Sequence, residues 1–108
     1  MTTQPDTQPL YSEFASDPDM ADLVEMFVDE LQDRVNAINQ ALNATDTATL
    51  TQLAHQLKGA AGGYGFTPIT EAASTLEQLV KSQADDASVR DAAEQLTSLC
   101  SRATADAA

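Results

Sequence analysis

The chain has 108 residues, with seventeen acids against five bases and a net charge of −12. Nucleic-acid phosphates and anionic membrane surfaces both call for clustered Lys and Arg, so the charge counts against either as a partner. One cysteine, Cys100, leaves no intrachain disulfide, and no apolar run approaches the ~18 residues that cross a membrane.

The composition is rich in Ala, Leu and Gln, has no Trp and few aromatics, and favours helices over a sheet. The opening MTTQPDTQPL has neither a basic start nor an apolar stretch, so no secretory signal is read and a cytoplasmic location is expected. Residues 1–9 are polar and Pro-containing, and are expected to be flexible. Leu10, Tyr11 and Phe14 then offer a short apolar helical turn that can cover one end of a bundle. Asp17-Pro18 reads as a cap followed by a first-position proline. From there Met20, Val24, Val28, Leu31, Val35, Ile38 and Leu42 make one stripe, with Phe27 at its edge, in a helix ending near Asn43.

Thr45 or Asp46 caps a second helix, whose stripe is Leu50, Leu53, Leu57, Ala60, Ala61 and Tyr64. Gly65 is its expected left-handed stop. Thr67-Pro68 opens a third helix in the same cap-then-proline manner, with Ile69, Ala72, Ala73, Leu76, Leu79 and Val80 on one face. A fourth follows Ser82 to Asp86 and carries Val89, Ala92, Ala93, Leu96, Leu99, Cys100 and Ala103, with fraying from about Thr104. Short connections make neighbours antiparallel. The expected fold is therefore all-α: an up-down-up-down four-helix bundle over residues 10–104, with a frayed tail at 105–108. The stripes are used up inside one bundle, so a monomer is expected.

The only histidine and all four glycines fall within the eleven residues from His55 to Gly65. At ~100° per residue His55 points about 160° from the centre of its helix's apolar stripe. Gln52, Gly59 and Gly62 share that outward face, and Lys58 lies on the flank. Gly59, Gly62 and Gly63 each cost a helix about 1 kcal/mol relative to Ala. Close packing of a neighbouring helix can account for Gly63 and in part for Gly62. Gly59, one turn from His55 on the solvent side, is better explained by a partner that must approach closely.

Zinc needs three or four His, Cys or carboxylate ligands, and one His with one Cys on a buried stripe does not supply them. A solitary exposed imidazole can act as a nucleophile. Phosphoryl transfer suits it, because positioning and charge stabilisation do most of the work and a partner can bring them. Lys58, three residues on, can offset charge on an incoming phosphoryl group as a point charge.

His55, Leu57, Lys58, Gly59 and Gly65 match H-x-L-K-G-(x5)-G, and the chain here resembles the histidine-containing phosphotransfer (HPt) domain family. The likeness continues through Ile69, Ala72-Ala73 and Leu76-Glu77 and covers about residues 10 to 104. It implies that His55 is phosphorylated on its outer ring nitrogen, that Lys58 supports the phosphoryl oxygens, and that Gly59 gives room for a receiver domain. Glu77 falls where some members carry a Gln that orients the imidazole or the phosphate. A carboxylate there can accept the ring N–H but repels a phosphoryl group, and surface solvation is its other reading.

The resemblance implies a phosphorelay intermediate between receiver domains of response regulators and hybrid histidine kinases. The chain binds no cofactor of its own in this reading; Mg²⁺ belongs to the receiver. No Gly-rich phosphate loop or kinase motif is present in the sequence, so a carrier without autokinase activity is expected. Gln52, Gln56, Gly59, Gly62 and Gly63 form the expected docking footprint. The rival readings are a helical adaptor that kept the surface but not the chemistry, and a hydrolase using His55 as a base. A convex helix face disfavours the hydrolase.

Overall fold

A computed structural model describes residues 8–106. Four helices account for most of it: α1 (Ala21–Asn43), α2 (Thr47–Gly63), α3 (Thr67–Lys81) and α4 (Asp86–Arg102). Two short strands, β1 (Leu10–Tyr11) and β2 (Ala103–Thr104), pair in parallel with Leu10 opposite Ala103. The expected four-helix bundle is present: α2 packs on α3, α3 on α4, and α1 closes the ring against α2 and α4. The expected flexibility of the first nine residues falls mostly on residues 1–7, outside those described.

The helix limits follow from local chemistry. Asp46 caps α2 by accepting the Thr49 N–H at 3.1 Å, and Asp85 caps α4 by accepting the Ser88 N–H. Thr45 adopts a left-handed φ of 53° after α1 and does not cap. α1 starts at Ala21, later than Asp17-Pro18 suggests. Asp17 instead builds its own turn, its side chain taking the Asp19 N–H at 2.9 Å and its carbonyl the Met20 N–H at 3.0 Å. Thr67 lies inside α3 rather than capping it, and its hydroxyl donates to Glu13 Oε2.

The ends of the chain are the main departure from expectation. Leu10 and Tyr11 are extended in β1, and turns rather than a helix carry the chain from Glu13 to Met20. Thr104 pairs in β2 and Ala105 packs against the core, so fraying does not begin at Thr104.

Phe27 is not at the edge of the core but in it. It is 3 % exposed and stacks on Tyr64 at 4.8 Å and Phe66 at 5.8 Å between ring centres. Phe66 is fully buried, although it belongs to no helical stripe. The buried face of α2 is Leu50, Ala54, Leu57 and Ala61, with Leu53, Ala60 and Tyr64 only partly covered. That face is rotated from the expected one, and it brings His55 to about 130° from its centre, toward α3.

Candidate functional site

The rotation of α2 decides what His55 meets. Its side chain remains two-thirds exposed, at 66 %, and its Nδ1 lies 2.9 Å from Glu77 Oε2 on α3. Glu77 is therefore not a solvated surface residue: its side chain is 4 % exposed. A buried carboxylate needs partners, and this one has three. Lys58 Nζ donates to Oε1 at 2.7 Å, while Lys81 Nζ and the His55 ring share Oε2 at 3.1 and 2.9 Å.

Lys58, foremost, and then Lys81 hold the Glu77 carboxyl down at about 2; burial opposes them, and the His55 bond helps. An ionised carboxylate only accepts hydrogen bonds, so Nδ1 is the donor of this pair. Nε2 is left with no hydrogen-bond partner among the described residues. The charged cluster holds one ammonium more than it has carboxylates, in a chain whose overall charge is −12.

This charge pattern has a consequence in acid. With a folded carboxyl at about 2 against an ordinary 4.5, the bonds to Glu77 contribute fully above pH 4.5 and are lost as pH falls toward 2. A carbon NMR titration of Glu77 is expected to show its midpoint near 2. A midpoint at 4.5 would mean that the ammonium groups do not hold it.

The other sequence-predicted positions lie around this centre. Gln52, Gln56, Gly59, Gly62 and Gly63 are all exposed on α2, and Lys58 is at its flank with a third of its side chain exposed. The glycines are not equivalent. A Cβ at Gly62 would come within 3.3 Å of Thr70 Oγ1, whose hydroxyl already bonds the Lys58 carbonyl at 3.0 Å. Helix packing thus explains Gly62 rather than Gly63. At Gly59 and Gly63 a Cβ would meet nothing within 4 Å.

Cys100 is buried, and burial pushes its thiol up to about 12, as suits an inert core residue. A cleft of about 450 Å³ at the α1–α2 and α3–α4 turns is lined in part by Lys81 but not by His55. The imidazole stands on an open surface, which does not provide the water-excluding pocket of a hydrolase.

The residue that sequence reasoning missed is Lys81. Two signals pointed to it. It stands four residues after Glu77 on the same helix, a spacing at which ion pairs form. It is also one of only two lysines in the chain, and the other is Lys58.

The described residues thus form a four-helix bundle with one solvent-facing imidazole, oriented by a carboxylate, on the flank of α2. The family model for the Hpt domain matches residues 22–106, and the chain belongs to that family. Hpt domains act in phosphotransfer within two-component phosphorelays, as carrier modules without an ATP-binding site, and typically interact with receiver domains. Neither the curated proteins nor the solved structures give a match to this chain. No helix among the described residues is long and apolar enough to cross a membrane.

Packing within the fold places no demand on Gly59. Gly59→Ala is expected to stabilise the bundle by about 1 kcal/mol, because the site is helical and open. It is expected at the same time to slow transfer from a receiver by crowding its approach. Thermal unfolding and transfer rate moving together in the favourable direction would remove Gly59 from the footprint.

Proposed function

We propose that His55 is the phosphoacceptor of a phosphorelay carrier, taking a phosphoryl group from a receiver aspartate and passing it to another receiver. The observation that carries this reading is the exposed ring whose Nδ1–H is bonded to a buried, ionised Glu77 at 2.9 Å. A binding surface alone has no use for an oriented ring nitrogen, so the bond favours a carrier over an adaptor.

The chemistry runs through Nε2. Its lone pair attacks phosphorus in line; the N–P bond forms as the P–O bond to the receiver aspartate breaks, and that electron pair leaves with the aspartate carboxylate. The ring gains positive charge during this step. Glu77, facing the Nδ1–H, stabilises that charge where it develops. The ammonium of Lys58 moves from Glu77 Oε1 to a phosphoryl oxygen, supplying a point charge to the group being transferred. Mg²⁺ and the acidic residues around it come with the receiver. Passing the group on is the same step reversed on a second receiver.

Gln52, Gln56, Gly59, Gly62 and Gly63 are the proposed docking footprint, since they share the exposed side of α2 with His55. The bare backbone at Gly59 and Gly63, which internal packing does not require, supports close approach of a partner. We place the domain in the cytoplasm as a monomer. The reading is tested by incubating the chain with a panel of purified phosphorylated receivers. At least one is expected to transfer a label that is acid-labile and stable in alkali. Failure of every receiver, in a panel that transfers to a control carrier, would count against it.

A further inference from the structure

Both lysines of the chain converge on one carboxylate, and they do so on different oxygens. Lys58 takes Glu77 Oε1 at 2.7 Å, while Lys81 takes Oε2 at 3.1 Å, the oxygen that also holds the His55 ring at 2.9 Å. We propose that Lys81 is a positioning residue for the transfer: by sharing Oε2 with the His55 ring it keeps that ring neutral, with its proton on Nδ1 and its lone pair on Nε2. The proposal rests on the reading of His55 as the phosphoacceptor.

A buried carboxylate held against an imidazole has two opposite effects. It orients the ring and favours one tautomer, which helps Nε2 attack. It also favours the charged imidazolium, which has no lone pair on Nε2 and cannot attack. An ammonium on the same oxygen keeps the first effect and weakens the second. It occupies part of the oxygen's accepting capacity and offsets the negative charge that the ring feels. The charged groups bonded around the ring are Glu77 and Lys81 from α3 and Lys58 from its own helix.

The two lysines then have different tasks. Lys58 lies one turn from His55 and can leave Oε1 for the phosphoryl group. Lys81 pairs with Glu77 four residues away on the same helix, so α3 itself sets that contact before any partner arrives. While Lys58 is engaged with phosphate, Lys81 remains to balance Oε2. Lys81 is 62 % exposed, so its replacement does not disturb the core.

The test uses the whole unphosphorylated chain, with the ring nitrogens of His55 read by NMR across pH. Lys81→Ala is expected to raise the ratio of imidazolium to neutral ring at a given pH by up to about fivefold, the upper range of an exposed ion pair. Lys81→Arg is expected to restore the neutral pattern. With Glu77→Gln already present, Lys81→Ala should move nothing, because the neutral amide gives the cation no charge to balance. Transfer by Lys81→Ala should slow most at the acidic end and recover in mild alkali.

An unchanged ring spectrum in Lys81→Ala would overturn the proposal. So would an equal change with and without Glu77→Gln, since Lys81 would then act without the carboxylate. The spectra need no phosphoryl donor. Failure of transfer from every receiver therefore counts against the carrier reading, and failure of the ring to respond counts against Lys81.

Discussion

Replacing His55 with Gln is expected to reduce labelling by a phosphorylated receiver to background while the helical circular dichroism and the unfolding midpoint stay where they were. The two halves of this result have separate causes. The side chain of His55 is 66 % exposed and makes one bond to the protein, so little of the bundle depends on it. Surface substitutions of this kind usually stay within about 0.5 kcal/mol. Gln can still donate an amide N–H to Glu77 Oε2, which spares the buried carboxylate an unfilled position. It has no nitrogen lone pair able to attack phosphorus, and the chain has no second histidine. Cys100, the other nucleophile of note, is buried with its thiol pushed up to about 12. Undiminished labelling of His55→Gln would refute the assignment, and retained receiver binding alongside lost labelling would separate chemistry from docking.

How much of this could be read before the structure depends on the range of each interaction. Four amphipathic stripes and three short connections sufficed for the bundle, because each stripe records its own burial in the local sequence. The outward direction of His55 followed from the same periodicity. The exact phase did not: Ala54 rather than Leu53 is fully buried on α2, and a small residue gives a weak hydropathy signal. That rotation is what turns His55 toward α3. The burial of Glu77 was illegible for a related reason. Adjacent to Leu76 on α3, it reads as polar surface unless the donors that permit its burial are known, and two of the three come from α2. Phe66 sits in the α2–α3 corner, where no helical period applies, yet it is fully buried. The pairing of Leu10 with Ala103 joins two-residue segments at opposite ends of the chain, and strands that short carry no pattern of their own.

Gly65 shows that the glycines of one motif answer to different forces, and Gly65→Ala is expected to destabilise the bundle by about 3 kcal/mol. The residue turns the chain from α2 into α3 with φ at +81°, a conformation that costs a side-chain-bearing residue roughly 1–2 kcal/mol. Space adds to this. A Cβ would stand 2.6 Å from Ser12 Oγ, 2.9 Å from Glu13 N and 3.0 Å from Phe14 Cδ2. Those atoms are fixed by their own bonds: Ser12 donates to the Tyr64 carbonyl at 2.6 Å and accepts from the Phe14 N–H at 3.0 Å, and the Glu13 N–H donates to the Gly65 carbonyl at 2.8 Å. Overpacking of this kind costs roughly 1–3 kcal/mol more. For a domain near this size the total lowers the melting temperature by about 10–20 °C. Transfer at a temperature where the variant is still folded should persist, because Gly65 is ten residues from His55 and buried under the N-terminal segment, while Gly59 lies in the open one turn away. Gly59→Ala and Gly65→Ala are thus expected to move stability in opposite directions. A Gly65→Ala chain that melts with the parent would mean that Ser12 to Phe14 do not hold the α2–α3 corner, and that the end of α2 is anchored by some other contact.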